Sequence, residues 1–197
     1  IKNLPRVKDI DTMINLLKSL GSEIKFNKDK KVIKITKKKK QKVFAPYSLV
    51  RTMRAGILVL GALVSKHQKS ITSLPGGCLI GARPVNYHLN ALKKLGMRYN
   101  IKKGYIHADI TGRLKGTKIR FSKISVGATE NTIIAACLAS GTTILRNAAI
   151  EPEIIDLINF LKLGGANIKF IGKRTLRIEG VKSLEKVSYS VMADRIE

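Results

Sequence analysis

The run Leu74-Pro75-Gly76-Gly77-Cys78-Leu79-Ile80-Gly81-Ala82-Arg83-Pro84-Val85 puts one thiol, Cys78, on a glycine-hinged loop, with the guanidinium of Arg83 shortly downstream. Pro84 suits the first turn of a helix, where its missing N–H costs nothing. A helix N-terminus offers unpaired N–H groups and positive dipole, which lower a nearby thiol's pKa and attract phosphate. Local features therefore point to a reactive thiol beside an anion site. Most free cysteines are small buried hydrophobes, and that reading stays open at this level. Cys137, inside Ala135-Ala136-Cys137-Leu138, is read as such an inert core thiol.

Other positions could hold an anion. Arg51 and Arg54 stand three apart on an otherwise apolar stretch and share a helical face. Arginine clamps phosphate or carboxylate with a two-pronged fork, but it also snorkels from core edges. Arg83, Pro84, Val85, Asn86 and Tyr87 read as the first turn of a helix. Lys123-Ile124-Ser125-Val126-Gly127 leads into another helix, which Thr129 is expected to cap, and its N–H groups make an oxyanion nest. His88, next to the binding turn, fits a packed edge as well as a ligand contact. No His/Cys/Asp cluster has metal spacing, and neither a P-loop nor a dinucleotide fingerprint is present.

Pro-Gly-Gly-Cys-x-Ile-Gly-x-Arg-Pro resembles the catalytic loop of the UDP-N-acetylglucosamine 1-carboxyvinyltransferase family, the enolpyruvyl transferases of peptidoglycan synthesis. The resemblance continues in order through Ala45-Pro46-Tyr47, Thr52-Met53-Arg54-Ala55, Gly112-Arg113-Leu114-Lys115-Gly116 and Ser125-Val126-Gly127-Ala128-Thr129. It then runs through Asn147-Ala148-Ala149 and Glu151-Pro152-Glu153-Ile154 to Asp194-Arg195-Ile196-Glu197. It implies transfer of enolpyruvate from phosphoenolpyruvate to the 3-hydroxyl of UDP-N-acetylglucosamine, without cofactor or metal. By the same resemblance Cys78 is the proton donor, Arg54 contacts phosphoenolpyruvate, and Arg83, Pro84, Val85, Asn86 and Tyr87 hold the UDP-sugar. Lys123, Ile124, Ser125 and Val126 line the nucleotide site. Relatives usually carry an acidic residue where Asn86 stands and an aliphatic one where Tyr87 stands, so a carboxylate partner for the uracil is lost here. Glu151, Glu153, Asp194 and Arg195 match residues near an interlobe cleft, without assigned roles.

The elements that must position these residues repeat. Amphipathic helices over Ile10–Gly21, Pro84–Gly96 and Glu153–Gly164 each end in Leu-Gly and precede a two-stranded ribbon. Counting back from the Leu-Gly pairs aligns Leu17, Leu92 and Phe160, and then Ile14, Leu89 and Leu157. A spacing near 70 residues marks three copies of one unit. Longer, apolar helices over Pro46–Lys66 and Thr129–Ser140 read as buried central helices, each followed by a short strand. The first copy lacks its central helix and strand, and Asp194 to Glu197 look like the start of another central helix. Periodicity gives an α/β chain of repeated units, and the family resemblance implies the rest: an inside-out α/β barrel lobe of the enolpyruvyl transferase type with three βαβαββ-like units. By that resemblance residues 1–197 are expected to form one lobe, with the second lobe absent and the chain inactive alone.

The formal charge is +25, with 44% hydrophobic residues and two cysteines. The apolar fraction supports a sizeable core, and unpaired cysteines suit a reducing compartment. No signal peptide opens the chain and no apolar run spans a bilayer, so a cytoplasmic protein without membrane contact is expected. Nucleic acid is not the expected partner. The lysines are spread along the chain except at Lys37-Lys38-Lys39-Lys40, and no aromatic-basic stacking motif appears. Two rival readings are the sister 3-phosphoshikimate 1-carboxyvinyltransferase, which the Cys78 loop disfavours, and a degenerate fragment acting as a basic binding protein.

Overall fold

The computed structural model describes residues 1–37, 41–76 and 85–193. In chain order, helix α1 (Lys8–Ser19) precedes the antiparallel hairpin β1 (Ser22–Asn27) and β2 (Val32–Lys37). Next come β3 (Phe44–Ala45), the one-turn α2 (Tyr47–Val50), a 3-10 turn over Arg54–Ile57, α3 (Leu58–His67) and β4 (Lys69–Ser73). Helix α4 (Asn86–Lys94) leads to β5 (Arg98–Lys102) and β6 (Tyr105–Asp109). The pattern then recurs as β7 (Lys118–Arg120), α5 (Val126–Ala136), β8 (Thr142–Arg146), α6 (Pro152–Leu163), β9 (Asn167–Gly172) and β10 (Thr175–Glu179).

The two complete units have the same topology. One sheet runs β3-β4-β6-β5 and the other β7-β8-β10-β9, with the first pair parallel and the remaining pairs antiparallel. The first unit contains more than the sequence suggested. Ile1 exchanges two 2.8 Å backbone hydrogen bonds with Ile33 of β2. Lys2 in turn forms a parallel bridge with Ser190, through Lys2 N–H to Tyr189 O and Val191 N–H to Lys2 O. Reading across, residues 189–191, residues 1–2, β2 and β1 reproduce the order of the other two sheets. A segment far along the chain thus occupies the first strand position, a placement that local periodicity cannot reveal.

The central helices are apolar on most sides because they are buried on most sides. Val59, Leu60, Leu63 and Val64 of α3 and Ala128, Ile133, Ala135 and Ala136 of α5 lie in the core. Together with Leu89 and Leu92 of α4, Ile154 and Ile158 of α6 and the inward residues of β6, β8 and β10, most of them form one cluster. Helix α1 closes a second cluster through Leu16 and Leu20 against Val50, Met53, Val59 and Leu63. Cys137 is fully buried among aliphatic groups of the first, larger cluster, which pushes its thiol up to about 12 and keeps it unreactive.

Two helix readings need correction. The stretch from Pro46 to Lys66 is not one helix, because Met53 is extended (φ −140°, ψ 138°) and divides α2 from the 3-10 turn. Arg51 therefore lies over the Tyr47 ring, 5.4 Å from its centroid, and does not share a helical face with Arg54. The third outer helix is displaced by one residue in the repeat alignment. Gly21 (φ 93°) and Gly96 (φ 104°) take the left-handed position that ends α1 and α4, but the equivalent residue is Gly165 (φ 91°). Each of the three donates to a lysine carbonyl three residues back, at Lys18, Lys93 and Lys162. The true equivalents of Leu92 and Leu89 are therefore Leu161 and Ile158, both buried.

The backbone makes this register testable. An L side chain at Gly165 meets no atom but must adopt positive φ, whereas Gly164 has φ −81°. Chemical denaturation should show Gly165→Ala costing about 1 kcal/mol and Gly164→Ala roughly half that or less. The reverse ranking would restore the Leu-Gly register. Among the described residues Thr143 Oγ1 is buried without a hydrogen-bond partner. Thr143→Val, which removes that orphan at nearly constant shape, should leave stability unchanged or raise it by about 1 kcal/mol.

Candidate functional site

The 3-10 turn, α4 and the start of α5 meet around a cleft of ≈ 480 Å³. Arg54, Ala55, Ile57 and Leu58 form one wall and His88 of α4 stands at the back. Ile124, Ser125, Val126, Gly127 and Glu130 form the opposite wall. The cleft thus joins Arg54 to three of the residues expected from the 123–126 turn. Lys123 is exposed on the same turn.

Helix α5 opens onto this cleft with its positive end. Its cap is Ser125, whose Oγ accepts from Ala128 N–H at 3.3 Å, and not Thr129 as expected. Thr129 lies inside the helix, where its hydroxyl donates to Ser125 O and accepts from Ala149 N–H. The physical reason is the backbone: Ser125 is extended (φ −142°, ψ 116°), as a capping residue must be.

His88 is buried, and burial together with the positive Arg54 lowers its pKa to about 4, so the ring is neutral at physiological pH. Glu130 has its pKa raised, first by burial and then by the negative charge of Glu153. Sequence reasoning passed over Glu130, although it lies four residues after Val126 and so on the same helical face. It left His88 open between core and contact, and the structure makes it both buried and cleft-lining.

The remaining expected residues do not all converge. Tyr87 lines a neighbouring groove of ≈ 520 Å³ with Asn90, Lys93, Lys94, Arg120 and Phe121. Its ring packs edge-on against Phe121 at 6.3 Å, and its hydroxyl accepts from Ser122 Oγ at 3.3 Å. Val85 is half-buried against the core, and Asn86 is exposed, its Oδ1 accepting from Tyr87 N–H at 3.0 Å. Cys78, Arg83 and Pro84 lie outside the described residues. Gly76, where the described chain stops before them, sits under Arg51, since a side chain there would meet the Arg51 carbonyl.

A family model described as EPSP synthase (3-phosphoshikimate 1-carboxyvinyltransferase) matches residues 1–197. A UDP-N-acetylglucosamine 1-carboxyvinyltransferase of Pelagibacter ubique (strain HTCC1062) is 63% identical over all 197 residues, which span 47% of that relative. A protein of the same name from Shewanella piezotolerans (strain WP3 / JCM 13877) is 50% identical, again over the whole chain and 47% of its own length. The chain thus spans about half the length of the curated relatives it matches. Among solved structures, the enolpyruvyl transferase NikO from Streptomyces tendae superposes with a TM-score of 0.85 at 20% identity, over 98% of this chain and 46% of that one. EPSP synthase from Acinetobacter baumannii superposes at 0.68 with 16% identity, over 91% and 41%. These two likenesses establish the α/β fold of the enolpyruvyl transferase type. By the match over its full length, the chain belongs to the EPSP synthase (3-phosphoshikimate 1-carboxyvinyltransferase) family.

Proposed function

We propose that this chain is one lobe of a two-lobe enzyme that transfers enolpyruvate from phosphoenolpyruvate to the 3-hydroxyl of UDP-N-acetylglucosamine, a cytoplasmic step of peptidoglycan synthesis. The observation that carries this reading is the convergence of Arg54, Ser125 and Val126 on one cleft at the positive end of α5. Relatives at 50% and 63% identity bear that activity in their names, which favours it over the shikimate-pathway reaction.

The chemistry follows from the charges. Both substrates are anions, and with His88 neutral Arg54 is the cation among the described residues that line the cleft, supplemented by the α5 dipole. In the reaction the sugar hydroxyl adds to C2 of phosphoenolpyruvate, its proton leaving with the phosphate, while the Cys78 thiol gives a proton to C3 and becomes a thiolate. Return of a C3 proton to that thiolate and cleavage of the bond between C2 and the phosphate ester oxygen then release inorganic phosphate and leave the enolpyruvyl ether. The residues of this lobe supply binding, orientation and that proton. The second lobe would close over the cleft and exclude water.

Calorimetric titration of UDP-N-acetylglucosamine tests the site. Arg83→Ala should weaken binding about 10- to 100-fold, the value of a charge-assisted contact. Equal affinity in Arg83→Ala and the wild type would reject the assignment. The isolated chain should release no phosphate from phosphoenolpyruvate and UDP-N-acetylglucosamine, and adding the other lobe of a relative should restore release in a Cys78-dependent manner. Turnover by the chain alone would contradict the two-lobe reading.

A further inference from the structure

Ile57 O and Gly61 N–H are natural partners in an α-helical ladder, four residues apart. Here a side chain bridges them. Gly61 N–H donates to Asn131 Oδ1 at 3.0 Å, and Asn131 Nδ2 donates to Ile57 O at 3.3 Å. A side chain inserted at a ladder is a recognised cause of local helix irregularity, and this one sits where the 3-10 turn becomes α3. Asn131 is fully buried in α5, and a Cβ at Gly61 would overlap its Oδ1. Only glycine at 61 permits this approach.

The bridge has a chemical consequence. A carbonyl only accepts and an N–H only donates, so the backbone at Ile57 and Gly61 fixes which end of the Asn131 amide is nitrogen. The second proton of Nδ2 points at His88 Nδ1, 3.1 Å away. That ring nitrogen must accept, which places the ring proton on Nε2. The Nε2–Cε1 edge faces Gly127, where an added Cβ would lie 3.6 and 3.3 Å from those two atoms. Both residues line the cleft.

We propose that Asn131 is a positioning residue of this cleft, one that joins the Arg54-bearing turn to α5 and presents His88 as a neutral Nε2–H donor to an acceptor oxygen of the bound anion. The anion's identity as a UDP-sugar rests on the function proposed above. The charged groups that line the cleft with the ring are Arg54 from the 3-10 turn and Glu130 from α5. An adjacent cation and burial both resist a second ring proton, so the donor persists through neutral pH.

Long-range proton–nitrogen correlation of the His88 ring in the 197-residue chain tests this, alongside Asn131→Asp. In the wild type Nε2 should carry the proton at pH 7, and a through-hydrogen-bond coupling should link Gly61 nitrogen to Asn131 Cγ. Asn131→Asp offers Nδ1 an acceptor, so the tautomer should reverse and the ring's titration move up by roughly one unit or more. UDP-N-acetylglucosamine affinity should fall about tenfold in this variant, in line with one lost hydrogen bond to a charged group. A wild-type proton on Nδ1, an absent coupling, or a reversed tautomer with unchanged affinity would each overturn the proposal. Should Asn131→Asp fail to fold, the wild-type ring and coupling still decide it. Inorganic diphosphate serves as a second probe. A wild type with the Nε2 proton that binds diphosphate but not the UDP-sugar would refute the substrate and support the role of Asn131.

Discussion

Gly61 brings α3 and α5 so close that a side-chain amide takes the place of packing between them. An unpaired amide buried at that crossing would cost several kcal/mol, so Asn131 is tolerable only because every one of its polar atoms has a partner. Those partners belong to the 3-10 turn, α3 and α4, and through them the crossing fixes three elements of the cleft at once. The 3-10 turn carries Arg54, α4 carries His88, and α5 brings its N-terminus. The two repeated units are therefore joined by a polar clasp inside an apolar core, and the cleft opens next to that clasp.

Much of this fold could be read from residue types and spacing. Helical periodicity located α1, α4, α5 and α6, and alternation located the hairpins, because each signal is local and each element buries one face or stripe. What failed was non-local. The bond pattern of Gly164 and Gly165 depends on backbone angles that two adjacent glycines leave open, so the third repeat was aligned one residue early. Met53 breaks the 46–66 helix for tertiary reasons, being buried against α1 residues such as Leu16. Residues 189–191 complete the first unit's sheet from across the chain, which no periodicity encodes.

The candidate site divides in the same way. Arg54, Ile124, Ser125 and Val126 were recognisable from motif and helix-start chemistry. Glu130 and Asn131 were not, since a Glu-Asn pair within an apolar helix reads as a local defect until the facing helix is known. Tyr87 faces the adjacent groove because its ring finds Phe121, an aromatic contact that an aliphatic side chain could not make in the same way. The formal charge of +25 says little about the cleft. Burial governs the electrostatics there, holding His88 neutral and raising Glu130, so the surplus lysines act only through the long-range field.

Chemical-shift mapping of backbone amides during addition of UDP-N-acetylglucosamine tests the central claim most directly. The account predicts perturbations concentrated at 54–58, 88 and 124–130, with Gly61 responding through its bond to Asn131. Shifts confined to the lysine-rich β1–β2 hairpin, with the cleft silent, would contradict it.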